Sequence, residues 1–130
     1  MILVDTHVAV WLALEPAKLS RRAAAAIKQA RQDDSGIGIA AFSLWEIAML
    51  VDRGRVEINV SIESFLRGVE LSCIVLPLTG KIAAKSMDMG KGYPKDPADR
   101  IIGATALVEG LPLVTRDEKI RASKQVPTIW

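Results

Sequence analysis

Four short apolar runs, each followed by a helix-length segment, constrain the fold of this chain more than any other feature. Ile2-Leu3-Val4, Ile37 to Ala40, Cys73-Ile74-Val75-Leu76 and Leu113-Val114-Thr115 lack the polar–apolar alternation of a half-exposed strand. Runs of this kind are strands covered on both faces. Between them, Thr6 to Leu14 reads as a helix stopped near Glu15-Pro16, and Ser20 caps a second helix reaching about Arg31. Asp33 to Gly36 is a turn. Ser43 to about Asp52 forms a third helix ended by Gly54, and Ser61 caps a fourth that carries Ile62, Phe65, Leu66 and Val69 at helical spacing. Thr79 to about Met87 is a fifth helix. Pro97 to Glu109 is a sixth, with Pro97 suited to a first turn and Gly110 to a stop. Glu118 to Lys124 and Val126 to Trp130 close the chain as a short helix and a last strand. Alternation of this sort predicts an α/β fold, a central parallel sheet flanked by helices. Right-handed crossovers then gather strand ends and helix starts along one edge of the sheet.

A length of 130 residues fits a single domain over residues 1–130 with a substantial core. Its one cysteine, Cys73, rules out a disulfide framework within the chain and points to a reducing, cytoplasmic setting, with Cys73 a buried strand residue. Met1 to Asp5 has no basic leader and the next apolar run is cut by Glu15-Pro16, so neither a signal peptide nor a membrane span is expected. A net charge of +2 announces no nucleic-acid binder. Its distribution says more: Lys81 to Lys124 holds nine basic and six acidic residues. If three of those acids face a metal, the remaining surface is basic and suits a polyanion.

Five acids lie where that sheet edge should be. Asp5 closes the first strand, Glu46 sits in the first turn of the third helix, Asp96 and Asp99 open the sixth, and Asp117 follows the strand at Leu113. Each has a local structural role available. Ser43-Leu44-Trp45-Glu46 and Asp96-Pro97-Ala98-Asp99 both match a capping box, and Asp5 and Asp117 each precede a helix. As a set they mean more, because converging carboxylates without bases repel one another and raise each other's pKa. Hard divalent cations relieve that repulsion through oxygen ligands and also bind substrate phosphates. No His/Cys zinc pattern, Ser-His-Asp set or phosphate-cradling glycine loop is present. Metal-assisted phosphodiester hydrolysis is the chemistry these residue types favour.

Asp5-Thr6-His7 after an apolar strand, Ser43-x-Trp45-Glu46-Ile47-Ala48, the stretch from Asp96 to Ala106, and Leu113 to Asp117 together resemble a PIN domain, more narrowly the VapC-type toxin ribonucleases of bacterial toxin–antitoxin pairs. The resemblance covers essentially the whole chain, in order. It implies a Mg2+- or Mn2+-dependent endoribonuclease whose acidic site is Asp5, Glu46, Asp99 and Asp117. Asp96 matches an additional acid of this branch, a metal ligand or a helix cap. Thr115 and Thr6 match supporting hydroxyls. The resemblance also implies an RNA substrate, a cognate antitoxin and a homodimer. A PIN-like module that grips RNA or a partner without cutting is the rival reading. A phosphatase using Asp5 as nucleophile would need a second acid two residues on, where His7 stands.

Other residues carry two readings each. His7 is a proton shuttle or a helix-start side chain packed on Trp11, and the second is favoured. Arg100 and Arg116, each beside a site acid, pair with carboxylate or hold phosphate. Trp11 and Trp45 lie in apolar helical faces and read as core more than as base-stacking platforms. The third and fourth helices are more apolar than one core stripe requires, which fits either a well-covered core or a groove for a partner.

Overall fold

The structure is a computed structural model that describes residues 1–130. Five parallel strands form one sheet in the order β3-β2-β1-β4-β5. They are β1 (Ile2–Val4), β2 (Ile37–Ala40), β3 (Ile74–Leu76), β4 (Leu113–Val114) and β5 (Thr128–Ile129). Helices α1 (Thr6–Leu14), α2 (Arg21–Gln32), α3 (Ala41–Asp52), α4 (Ile62–Ser72), α5 (Gly80–Met87), α6 (Pro97–Glu109) and α7 (Glu118–Ser123) connect them.

Because successive strand residues point to opposite faces, β1 feeds two cores. Ile2 and Val4 join Val8, Ala23, Ile27, Ile47 and Val69 beneath α1 to α4. Leu3 joins Ile82, Ile102, Leu113 and Ile120 beneath α5 to α7. The chain winds outward from β1 through β2 to β3, then returns to place β4 on the other side of β1. That reversal between β1 and β4 is a topological switch point, and the crevice at the strands' carboxyl ends there is where open α/β sheets bind ligands.

Local signals explain the boundaries. Ser20, Ser61 and Thr79 accept from the amides of Ala23, Ser64 and Ile82 and start α2, α4 and α5. Gly110 ends α6 in the left-handed conformation (φ 66°), which a glycine adopts without strain.

Several expectations need correction. Helix α3 begins at Ala41, not Ser43, and its N-cap Ala40 has no capping side chain. Strand β4 ends at Val114, before Thr115, and β5 is confined to Thr128–Ile129. Cys73 is the half-buried C-cap of α4, because its amide still bonds back to the Val69 carbonyl. Trp45 is 58% exposed and is not core; Ile47 takes the inward position on α3.

Candidate active site

The site is built at the carboxyl ends of β1 and β4. Val4 pairs with Val114, so the chains leaving the two strands emerge side by side and the Asp5 amide donates to the Val114 carbonyl at 3.0 Å. Asp5 is buried and both carboxylate oxygens are engaged. Oδ1 accepts from the Thr6 amide at 2.8 Å and Oδ2 from the Thr115 hydroxyl at 2.6 Å. Thr115 Oγ1 in turn accepts from the Asp117 amide at 3.0 Å, so one threonine positions both acids.

Thr6 does the corresponding work for Glu46. Its Oγ1 lies 2.5 Å from Glu46 Oε1 and 2.9 Å from Ser43 Oγ. The single hydroxyl proton goes to the carboxylate, the stronger acceptor, and Ser43 donates to Thr6. Ser43 and Glu46 therefore do not form a capping box. They point into the site, and the cap explanation of Glu46 is lost. The other acids do both things. Asp5, Asp96 and Asp117 are the N-caps of α1, α6 and α7, with Asp96 Oδ1 accepting from Ala98 and Asp99 and Asp117 Oδ1 from Ile120. Asp99, one turn into α6, is oriented through its backbone: the Tyr93 hydroxyl donates to its carbonyl at 2.7 Å.

The charges of these groups act on one another. Burial is the main cause raising the pKa of Asp99, which reaches about 7, and Asp5, Asp96, Asp117 and Glu46 all push it the same way. Burial likewise raises Glu46, aided by Asp5 and Asp96 and opposed by the Thr6 bond. Asp5 is raised by its burial, against the Thr115 and Thr6 hydrogen bonds. The chain's two ion pairs, Lys18–Glu15 and Arg67–Glu63, are both elsewhere, so no lysine or arginine neutralises any of the five acids.

No three acidic, histidine or cysteine side chains converge closely enough to be a ready-made coordination shell. The carboxylates nonetheless lie near enough for their charges to add to burial in raising Asp99 and Glu46. The donor set is all oxygen, which suits a hard divalent ion. Two open depressions meet at Asp117 and Glu118. One, of about 440 Å3, is lined by Pro94, Lys95, Asp96, Asp99 and Lys119. The other, of about 300 Å3, is lined by Asp5, His7, Trp11 and Arg116.

Neither arginine pairs with a site carboxylate. Arg116 lies over the Trp11 ring, 5.8 Å from its centroid, and Arg100 Nη1 donates to the Ser86 carbonyl at 3.4 Å. His7 is exposed, with its ring 6.1 Å from that of Trp11, as the helix-start reading expects. Trp11 is half-buried against Trp130 and also carries Lys18. With two cations and two rings around it, little of its face is left for a base. Sequence reasoning missed Ser43 as a site residue, because a serine three positions before a glutamate has the same spacing as a capping box. It also missed Tyr93, whose role depends on a fold contact that no local motif announces.

Matches to known proteins agree with this architecture. The PIN domain model matches residues 2–124. Ribonuclease VapC22 of Mycobacterium tuberculosis (strain ATCC 25618 / H37Rv) is 34% identical over 131 residues, covering 99% of this chain and 98% of the relative. The chain belongs to the PIN-domain family, in its VapC branch. Among solved structures, a toxin-antitoxin complex from Klebsiella pneumoniae matches at 24% identity and a TM-score of 0.65, covering 94% of this chain and 91% of that one. VapBC2 from Rickettsia felis, bound to a DNA fragment from its promoter, matches at 15% identity and a TM-score of 0.73, covering 98% of this chain and 97% of that one. At those identities the two structures speak for the fold.

Proposed function

We propose that this protein is a divalent-metal-dependent endoribonuclease, the toxin of a toxin–antitoxin pair, with Asp5, Glu46, Asp99 and Asp117 as its catalytic metal ligands. The observation that carries the reading is Asp99, raised to about 7 by burial and four neighbouring carboxylates with no basic partner. Bound there, Mg2+ or Mn2+ supplies the Lewis acidity that phosphodiester hydrolysis needs. The chain's own groups do the rest. Thr115 and Thr6 hold the Asp5 and Glu46 carboxylates in place by hydrogen bonds. Asp117 presents Oδ2 while Oδ1 caps α7, and Asp96 assists in the same divided way at α6. Asp99, whose carboxylate makes none of the site's hydrogen bonds, would help hold the metal and orient the attacking water.

The kinship to a ribonuclease supports RNA as the substrate, and the likeness to toxin–antitoxin complexes supports a cognate antitoxin as partner. We assign the protein to the cytoplasm, as a homodimer; no helix is long and apolar enough to cross a membrane. Exposed Trp45, tilted against Phe42 with ring centroids 5.5 Å apart, supports an interface on α3.

RNA cleavage by the purified protein, with Mg2+ or Mn2+ and with a chelator, tests the reading. Metal-dependent cutting by the wild type, lowered about 1,000-fold or more in Asp99→Asn, is expected when a principal electrostatic contribution is removed. RNA binding without cutting by either protein would instead make this a non-catalytic PIN-like module.

A further inference from the structure

A third depression adjoins the acidic one. It has a volume of about 730 Å3, shares Pro94, Lys95 and Lys119 with the acidic depression, and adds Lys91. The three lysines are exposed and none has a carboxylate within 4 Å, since the chain's ion pairs involve other residues. Lys95 and Lys119 are each next in sequence to an acid, Asp96 and Glu118, yet pair with neither. The depression therefore holds three lysine ammonium groups outside any ion pair, free to meet a polyanion.

The wall is built rather than loose. Gln125 clamps the loop that carries Lys91: its Oε1 accepts from the Gly90 amide at 2.8 Å and its Nε2 donates to the Lys91 carbonyl at 3.1 Å. A Cβ on Gly90 would lie 2.9 Å from the Gln125 Oε1, so a side chain there would make the Gln125 amide shift. At the loop's other end Tyr93 is buried, with its hydroxyl on the Asp99 carbonyl and its ring against Gly103. Lys91 and Lys95 line the same depression as Lys119 of α7. Because Tyr93 is spent on packing, the depression offers no exposed aromatic face. It contains cations and no stacking platform, which is the chemistry for phosphate and not for bases.

We infer that Lys91, Lys95 and Lys119 form a phosphate-anchoring trough that holds the sugar-phosphate backbone of single-stranded RNA next to the scissile position, without reading its bases. The inference rests on the nuclease reading for the identity of the polyanion. Its readout is binding, so the two can fail separately. The trough supplies positioning residues and leaves the reacting atoms to the acids.

The test is single-stranded RNA binding by the full chain carrying Asp99→Asn, followed by fluorescence anisotropy across a KCl series, with and without Lys91→Gln, Lys95→Gln and Lys119→Gln together. Each lysine that neutralises a phosphate contributes about 0.7 to the slope of log affinity against log salt. The triple variant should lose about 2 from that slope and bind on the order of tenfold or more weakly near physiological salt. In the chain with Asp99 intact, the three substitutions should raise KM, leave kcat nearly unchanged and leave the positions of cleavage unaltered. An unchanged slope with an unchanged KM would overturn the trough, as would an altered cleavage pattern, which would make these lysines base readers. Thermal melting checks folding, and exposed lysines replaced by glutamine should leave it unmoved. If the slope falls as expected and yet no RNA is ever cut, the trough stands and the nuclease reading fails.

Discussion

Asp99 is a carboxylate whose ordinary pKa of 3.8 is raised to about 7 by its folded surroundings. The sign of the stability effect follows from where the proton sits. Below about pH 4 both folded and unfolded chains hold it, and the shift costs nothing. Between about pH 4 and 7 the folded chain keeps a proton that the unfolded chain has released, so each step up in pH favours unfolding. Above pH 7 the full penalty is present. Thermal melts in chelator should therefore show Tm falling from pH 5 to pH 8, and Asp99→Asn should flatten that fall and melt several degrees higher at pH 8. A wild-type Tm that rises over this range would contradict the assignment. Thr115 belongs to the same scale. Thr115→Val removes the hydroxyl that donates to Asp5 and accepts from the Asp117 amide, leaving buried groups unpaired at a cost of about 1–3 kcal/mol. Activity should fall with stability, and Thr115→Ser, which restores the hydroxyl, should recover most of both in urea unfolding and cleavage assays.

At the scale of elements, α6 and the loop before it work as one piece. An ideal Cβ on Gly103 would sit 2.2 Å from the Tyr93 hydroxyl oxygen. Gly103→Ala must therefore push Tyr93 off α6 and with it the bond to the Asp99 carbonyl. Overpacking of this kind costs about 1–3 kcal/mol. Circular dichroism should show a lowered Tm, and RNA cleavage should drop more than stability alone explains, because Asp99 loses its backbone tether. A variant with wild-type melting and activity would mean that Tyr93 positions nothing. Elements of this chain are also what local sequence announces best. The β1-α1 unit from Ile2 to Leu14 and the helix from Pro97 to Glu109 follow from apolar runs, an acid cap, a proline and a glycine stop. What could not be read locally is any relation between elements. Ser43 and Glu46 satisfy a capping template by spacing, yet both turn towards Thr6 because α3 packs beside α1. Trp45 shares an apolar helix with Ile47, but only the packed sheet decides that Ile47 faces inward and Trp45 outward.

For the whole molecule, charge and apolar surface divide the labour. The sheet order places β4 beside β1, so residues 110 positions apart, Asp5 and Thr115, bond directly. The acids collect at that seam, the lysine trough lies to one side, and Trp45 stands exposed on α3. If α3 carries the homodimer contact, Trp45→Ser should shift the protein to monomer in light scattering while leaving its melt nearly unchanged, since the indole contributes little to the core. A persistent dimer would move the interface elsewhere.

Five carboxylates with no lysine or arginine paired to them are tested most directly as a cation site by a calorimetric Mn2+ titration near pH 7 in buffers of different ionisation enthalpy. Saturable binding that releases a fraction of a proton is expected, because ligand groups must deprotonate and Asp99 is about half protonated there. Binding should weaken sharply in Asp5→Asn, and the proton release should disappear in Asp99→Asn. Absence of binding at millimolar Mn2+, or binding that neither substitution alters, would contradict the account and leave Asp5, Asp96 and Asp117 with capping as their main role.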